Sequence, residues 1–426
     1  MLQTLVVIPE RLAGWPLLGM GIIFWLLVAG TGIWLAWAYR REGFSPGVTS
    51  TLVTNGLLAL VIWQVLPRIV VDVGGVRGIP IRGYGLMMMV GVASGVGLAI
   101  YRGNRRGLSL DFILNLAFYM FIAGIIGARL FYVIQKWDQF RGQSWPETLA
   151  AIVNFTEGGL VVYGSLIGAA IGFALFVWRA RCSPWGLADV IAPSLLVGLA
   201  FGRVGCLLNG CCFGGPCHLP WAVHFPVASP PYVAQQEQGQ FLGIQLGLSQ
   251  DHVVIRSIRP DSPASGSPLR PGMRLKTINN HEVDSLNSAR YLIATSPFDS
   301  RLTVVDPEGQ ELIVNLVMKP PAHSLPTEPT QIYSALNAVI LCLLALAVES
   351  RLPRQGMLMA LVLGLYAVTR FLEEIIRQDE GSFAGTGLTI SQNISIVLLV
   401  AALVMAWWTA TRGPAAQRPA SPPVTG

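Results

Sequence analysis

The chain is 426 residues long, 53% hydrophobic and only 12% charged, with a formal net charge of +6 and a mean hydropathy of +0.56. Soluble domains carry about 25% charged residues, so this composition excludes an ordinary soluble enzyme and describes a protein that lives in lipid. The basic surplus falls in short segments between apolar runs, where it reports membrane orientation and not a nucleic-acid partner.

A hydrocarbon layer about 30 Å thick takes roughly 20 helical residues to cross. Nine runs meet that requirement, at 18–39, 51–66, 84–102, 112–134, 159–178, 187–207, 333–349, 356–376 and 391–409. The second is the shortest because Pro67 ends it. The first lacks a basic leader and a small-residue cleavage site, so it reads as a retained span and not a removed signal. Arg40 and Arg41, Arg102, Arg105 and Arg106, Arg179 and Arg181, Arg351 and Arg354, and Arg412 and Arg418 all fall on one side of the nine spans. That side is the cytoplasm by the positive-inside tendency, which puts the N-terminus outside and the C-terminus in the cytoplasm. The tail from 412 to 426, rich in proline, reads as disordered.

Between about 208 and 330 hydrophobicity falls, and the segment between the sixth and seventh spans reads as a soluble extracytoplasmic domain. Short β-type runs there alternate with turn residues, followed by an amphipathic helix pattern from Ser285 to Ala294. The closing stretch RLTVVDPEGQELIVNLVM reads as a hairpin, with DPEG as the turn and Leu302, Val304, Leu312, Val314 and Leu316 on a buried face. The run SPASGSPLRPGMRLKTINNHEV resembles a PDZ domain, although Met273 stands where that family has an acidic residue and Asn280 where it has a turn glycine. The resemblance implies a fold that adds an extended peptide to a sheet edge.

The membrane part carries unusual charge. Tyr366, Arg370, Glu374 and Arg377 follow at i, i+4, i+8 and i+11 and therefore share one helix stripe. Arg370 with Glu374 reads as an internal ion pair, but two arginines against one glutamate leave a positive surplus that an anionic ligand would balance. Arginine suits phosphate because its planar fork donates two parallel hydrogen bonds. Arg203, in GLAFGRVGCLLNGCCFGG, supplies a second such cation and Arg129 a third. Gly159, Gly164, Gly168 and Gly172 recur at helix-face spacing on the fifth span, where small residues permit close approach. Tyr163 and Tyr84 read either as interfacial aromatics or as phenol donors. Cys206, Cys211, Cys212 and Cys217, spaced C-x4-C-C-x4-C near His218 and His224, form a zinc-compatible set. A disulfide is a second reading and packing cysteines the blander one, and no metal or other cofactor is expected.

In order along the chain, IRGYGLMMMVG, GGLVVYGSLIG, DVIAPSLLVGLAFGRVGCLLNGCCFG, EPTQIY, YAVTRFLEEIIRQDE and SQNISI resemble the bacterial prolipoprotein diacylglyceryl transferases over roughly 76–409, apart from the PDZ-like insert. The resemblance implies a seven-span core and transfer of diacylglycerol from phosphatidylglycerol to a lipobox cysteine thiol, releasing glycerol phosphate. It also implies a multi-pass protein of the bacterial inner membrane whose site opens outward. The expected fold is thus a polytopic α-helical membrane protein: two extra N-terminal spans in 1–75, a core in 76–235 and 323–411, and an α+β insert in 236–322. Carried over residue by residue, Arg203, Arg370, Tyr163 and Tyr366 take catalytic roles. Arg203, Tyr84, Asn209, Gly210, Gly214, Glu374 and Arg377 bind phosphatidylglycerol. The partners implied are that lipid and prolipoprotein signal peptides. This chain departs from the pattern at Tyr163, where many members have histidine, at Ser165, where a glycine is usual, and at Cys206 and Cys211, where asparagine and glutamate are common. Those departures support an alternative, a non-catalytic scaffold displaying the PDZ-like domain. An intramembrane protease is disfavoured, since no H-E-x-x-H or nucleophile motif is present.

Overall fold

A computed structural model describes residues 4–12, 14–43, 46–73, 75–140, 144–153, 159, 161–249, 252–295, 298–377 and 387–411. The tail expected to be disordered and the QDE end of YAVTRFLEEIIRQDE lie outside the described residues. The chain divides into two units, 1–87 and 88–426.

In the first unit β1 (Thr4–Pro9) is followed by the two-residue strands β2 (Arg11–Leu12) and β3 (Trp15–Pro16). Two helices come next, α1 (Ile22–Glu42) and α2 (Pro46–Leu60), and α2 continues through tighter and looser turns to Ile69. Asn55 on α2 donates to the Thr31 hydroxyl on α1 at 2.9 Å, a polar tie between helices that are otherwise apolar. Hydropathy alone does not foresee the strands: β4 (Val71–Val73) and β5 (Val76–Arg82) join β1 in a sheet ordered β1-β5-β4. A Cβ on Gly78 would lie 2.2 Å from the Ile8 carbonyl, so the β1–β5 pairing requires glycine there.

The helix α3 (Gly83–Arg105) begins in the first unit and runs on in the second, where α4 (Leu110–Gln135), the short α5 (Trp137–Phe140) and α6 (Trp145–Val153), α7 (Val162–Ala180) and α8 (Pro184–Asn209) follow. The glycine stripe on α7 is a packing face against α4. Added Cβ atoms would lie 2.4 Å from the Gly127 carbonyl at Gly164, 2.2 Å from that of Ala123 at Gly168 and 2.5 Å from that of Tyr119 at Gly172. Gly159 precedes the helix and is held by its positive φ of 80°. The deepest element is α8, with Leu187, Val190, Ala192 and Leu196 in a core shared with α4, α11 and α12.

After α8 comes α9 (Pro230–Glu237), then an insert of β6 (Ile244–Ser249), β7 (His252–Ile258), β8 (Arg274–Ile278), β9 (His281–Glu282), α10 (Leu286–Thr295), β10 (Asp299–Val305) and β11 (Glu311–Val317). The sheet runs β11-β10-β8-β7-β6, with β9 paired to β8 and β6 at an edge. The expected hairpin forms in register, Leu302 opposite Val314 and Val304 opposite Leu312, and α10 buries Ala289 and Ile293 on the sheet. Asn279 and Asn280 both adopt left-handed φ (50° and 67°), which explains how the β8–β9 turn closes without glycine. Met273 is buried in the same core. The two ends of the insert are tied into a stem, where Thr327 pairs with Pro216 and Val223 and Pro226 pairs with His323.

Three helices complete the chain, α11 (Thr330–Val348), α12 (Met357–Ile376) and α13 (Ile390–Thr411). Among the described residues eight helices are long and apolar enough to cross a membrane, which makes a polytopic helical membrane protein. The ninth expected span, α12, has 20 residues but carries Arg370, Glu373 and Glu374, so apolarity alone does not mark it as a span. The start of α12 has no side-chain cap of its own. The buried Asp189 of α8 supplies one, accepting from the amides of Gly356 at 2.7 Å and Met359 at 2.9 Å.

Candidate active site

The charged stripe on α12 folds inward. The Glu374 carboxylate is completely buried and pairs with Arg370 at 2.6 Å and Arg377 at 3.1 Å. Both arginine side chains are less than a tenth exposed. The second Arg370 nitrogen donates to the Ser391 hydroxyl of α13 at 2.9 Å, and Ser391 in turn lies 2.9 Å from the Tyr163 hydroxyl of α7. A continuous polar chain therefore runs Tyr163, Ser391, Arg370, Glu374, Arg377 across three helices. Ser391 opens the SQNISI run, but nothing in its residue type or spacing singles it out. Its role is visible only once α7 and α12 are seen to converge on it.

Arg203 enters this cluster from α8. It is half-buried and within electrostatic reach of Arg377 and Tyr366 as well as of the Cys206 and Cys212 thiols. Arg370 and Arg377 thus share one buried carboxylate, with Arg203 as a further cation near Arg377. Glu373, one residue earlier, turns to α11 instead, accepting from Ser334 at 2.6 Å and Asn337 at 3.1 Å. Counting both glutamates, the region still keeps a surplus positive charge, which an anion at this depth would balance.

Beside the cations lies apolar space. A groove of about 340 Å³ between α8 and α11 is lined by Phe201, Leu207, Ile332 and Leu336, with Arg203 and Gln331 as its polar members. A second, of about 430 Å³, lies between α3, α4, α7 and α8 and is lined by Met88, Val92, Phe121 and Leu195 among others. Cationic groups next to apolar grooves suit an amphiphile with an anionic head.

The C-terminal turn of α8 is built by glycine and by contacts from α11. Gly210 takes the left-handed C-cap conformation (φ 81°, ψ 16°), and its amide returns to the Cys206 carbonyl at 2.8 Å. Gln331 donates to the Cys211 carbonyl at 2.8 Å and Thr330 to the Cys212 carbonyl at 2.6 Å. Gly214 pairs with Arg377 in an isolated bridge, and a Cβ there would meet the Glu328 carbonyl at 2.9 Å. Both glycines have backbone roles that hold Arg377 and the α8 turn in place. Asn209 closes α8 and its side chain reaches the Cys211 thiol. Tyr84 sits in the first turn of α3, within the unit of residues 1–87, with its side chain exposed.

Arg129 does not serve as a third free cation. Its guanidinium donates to the carbonyls of Ala151 (2.7 Å), Ile152 (2.8 Å) and Gly159 (3.0 Å), tying α4 to the end of α6 and to the approach to α7. Those are neutral acceptors, and they keep Gly159 against Arg129 and Tyr132.

A buried arginine–glutamate cluster beside an apolar groove, inside a bundle of membrane-length helices, is that of a polytopic membrane protein. Residues 73–408 match the family described as prolipoprotein diacylglyceryl transferase, and the chain belongs to that family of transferases. It is 34% identical over 438 aligned residues to the phosphatidylglycerol–prolipoprotein diacylglyceryl transferase of Rhodopirellula baltica, a match covering 95% of this chain and 88% of the relative. Enzymes of the same name from Trichormus variabilis and Nostoc are each 35% identical over shorter stretches, 40% and 38% of this chain and 57% and 55% of theirs. The near-complete match to the Rhodopirellula protein extends to most of the sequence outside the shared core.

Proposed function

We propose that this chain transfers the diacylglyceryl group of phosphatidylglycerol to the thiol of a prolipoprotein's lipobox cysteine, the first step of lipoprotein maturation. The observation that carries the reading is the buried Arg370–Glu374–Arg377 cluster with Arg203 on the neighbouring α8, which lines an apolar groove sized for part of a lipid. In the reaction the thiol loses its proton and the thiolate attacks the glycerol C3 carbon. The C–O bond to phosphate breaks, and glycerol phosphate departs with one more negative charge than the phosphodiester carried. Arginines fixed in a water-poor site stabilise that developing charge, the effect that preorganised groups provide best.

Arg203 and Arg377 are assigned to the phosphate. Arg370 is oriented by Ser391 on one side and Glu374 on the other. Tyr163 hydrogen-bonds to Ser391, so it stands two bonds from the Arg370 guanidinium and acts as a donor or proton relay where many relatives have histidine. A thiol of ordinary pKa near 8.5 needs only a modest positive field to ionise, so a dedicated histidine base is not required. Tyr366, near Arg203, is a second donor, Asn209 orients the glycerol head group, and Tyr84 is assigned to the lipid.

The spans are read with the N-terminus outside, the C-terminus in the cytoplasm and the insert on the outer face of the inner membrane. The insert's edge strand β6 and its helix α10 support a PDZ-like reading, in which the domain receives an extended segment of the prolipoprotein. A non-catalytic scaffold is not favoured, because display of a peptide-binding domain gives no reason for two arginines on one buried carboxylate with a further cation, Arg203, beside them.

The test is transfer of labelled diacylglycerol from phosphatidylglycerol to a lipobox peptide by the purified chain. Transfer by the wild type and loss in Arg203→Ala support the reading, and normal turnover in Arg203→Ala refutes the phosphate assignment. Removing residues 240–320 and assaying a full-length prolipoprotein beside a short lipopeptide tests the insert. Equal turnover on both substrates, unchanged from the intact chain, refutes substrate capture.

A further inference from the structure

The transferase reading leaves one cluster unused. Cys206, in the last turn of α8, and Cys211 and Cys212, in the turn that follows, bring their three sulfurs within 4.8 Å of one another. All three are free thiols and half-buried. A packing cysteine in this protein looks different: Cys342 is buried in the α8–α11–α12 core, its thiol on the Pro193 carbonyl. Cys217, the last cysteine of the C-x4-C-C-x4-C run, is not part of the group.

The convergence is built by the backbone. Gly210 turns left-handed at the helix end, and Cys212 does so again with φ 58°, a conformation that costs a non-glycine residue energy. Thr330 and Gln331 then fix the two cysteine carbonyls. A metal–sulfur distance of about 2.3 Å places tetrahedral or trigonal sulfurs about 3.8–4.0 Å apart, so side-chain rotations of under an ångström close the set.

We propose that Cys206, Cys211 and Cys212 form a binding site for one thiophilic d10 cation, Zn²⁺ or Cu⁺, held by three thiolates with one position left open. All-sulfur donors select these ions over hard cations. Binding exchanges three thiol protons for the ion and leaves a complex of net charge −1 with Zn²⁺ or −2 with Cu⁺. That negative charge is matched by the adjacent arginines, which would oppose a cation bound by neutral ligands. As a corollary that rests on the transferase reading, the loaded cluster competes with phosphate for Arg203 and Arg377 and raises KM for phosphatidylglycerol.

The binding test uses the full-length detergent-purified protein without either substrate, titrated with Zn²⁺ and, anaerobically, with Cu⁺ against a chromophoric competitor. One ion per chain is expected with either metal. Cys206→Ser and Cys212→Ser should each weaken binding by at least about 100-fold, a typical upper loss when even a ligand's supporting partner is removed. Cys217→Ser and Cys342→Ser should bind as the wild type does. Cd²⁺ should give an ultraviolet thiolate charge-transfer band in the wild type, a readout that needs no variant to fold. Absence of that band, or equal affinity in wild type and Cys206→Ser, overturns the site. The corollary is read separately, as a KM that rises with buffered free metal in the wild type and not in Cys206→Ser. A KM that is flat in both refutes competition while leaving the binding result to stand on its own.

Discussion

Replacing Glu374 by glutamine tests the charge balance on which the site depends. The change is nearly isosteric and removes a single negative charge from a side chain with no solvent exposure, leaving Arg370 and Arg377 without the carboxylate they share at 2.6 and 3.1 Å. With charge centres about 4 Å apart and an effective dielectric near 20, each pair is worth about 4 kcal/mol before desolvation is counted. Removing one member of a buried pair typically costs about 3–5 kcal/mol. The expectation is that Glu374→Gln melts well below the wild type in neutral detergent. An anionic lipid phosphate should then recover a larger part of the lost stability than it adds to the wild type, because it supplies the missing charge. The assay is thermal unfolding followed by tryptophan fluorescence in neutral micelles, with phosphatidylglycerol or, as a lipid without phosphate, diacylglycerol added. At 100 times its dissociation constant a ligand contributes about 2.7 kcal/mol, enough to separate the two lipids. Melting at the wild-type temperature, or equal stabilisation by the two lipids, would refute the view that this cluster is a surplus-positive site for a phosphate.

Three further outcomes follow from the geometry. Arg203→Ala should lower kcat/KM for transfer by about 10²–10³, the usual loss of one preorganised charge-stabilising donor, and Arg203→Lys should recover part of it because charge remains while the fork is lost. Gly168→Val should prevent α4 and α7 from packing, since even a Cβ would stand 2.2 Å from the Ala123 carbonyl; expression as a monodisperse protein is the measurement, with Gly107→Ala, a left-handed position facing open space, as a milder comparison. Asp189→Ala should destabilise the start of α12 by about 0.5–2 kcal/mol through loss of a cap, with Asp189→Asn retaining part of it, read as hydrogen exchange at the amides of Gly356 and Met359.

Much of this was legible in the chain because membrane helices must be apolar wherever they face lipid. The nine runs, the glycine face of the fifth from Gly164 to Gly172 and the Tyr366–Arg370–Glu374 stripe each follow from a one-dimensional period and form as helix or helix face, whereas Gly159 precedes α7 and Arg377, expected on the stripe, lies past the end of α12 in extended backbone. The insert's hairpin and its helix follow from alternation and turn chemistry in the same way. What periodicity could not reveal is which helix meets which. Ser391 is a plain hydroxyl until α13 lies between Tyr163 and Arg370. Arg129 reads as one more cation until its three carbonyl acceptors are seen. Asp189 gives no hint that it caps a helix 167 residues away. The strands β1, β4 and β5 escape for a different reason: they are short, lie outside the apolar runs, and β4 and β5 mix charged residues with apolar ones, so no period marks them.

The α12 helix shows why the site belongs where it is. Its three charges would be costly against lipid, so it is stable as a span only when α8, α11 and α13 cover them. Each neighbour does so with a different chemistry: α13 offers the Ser391 hydroxyl to Arg370, α11 offers Ser334 and Asn337 to Glu373, and α8 brings another cation, Arg203. The first two contacts satisfy charge and the third adds to it. Among the described residues no carboxylate pairs with Arg203, and that surplus cation is the physical argument for an anion that arrives and leaves.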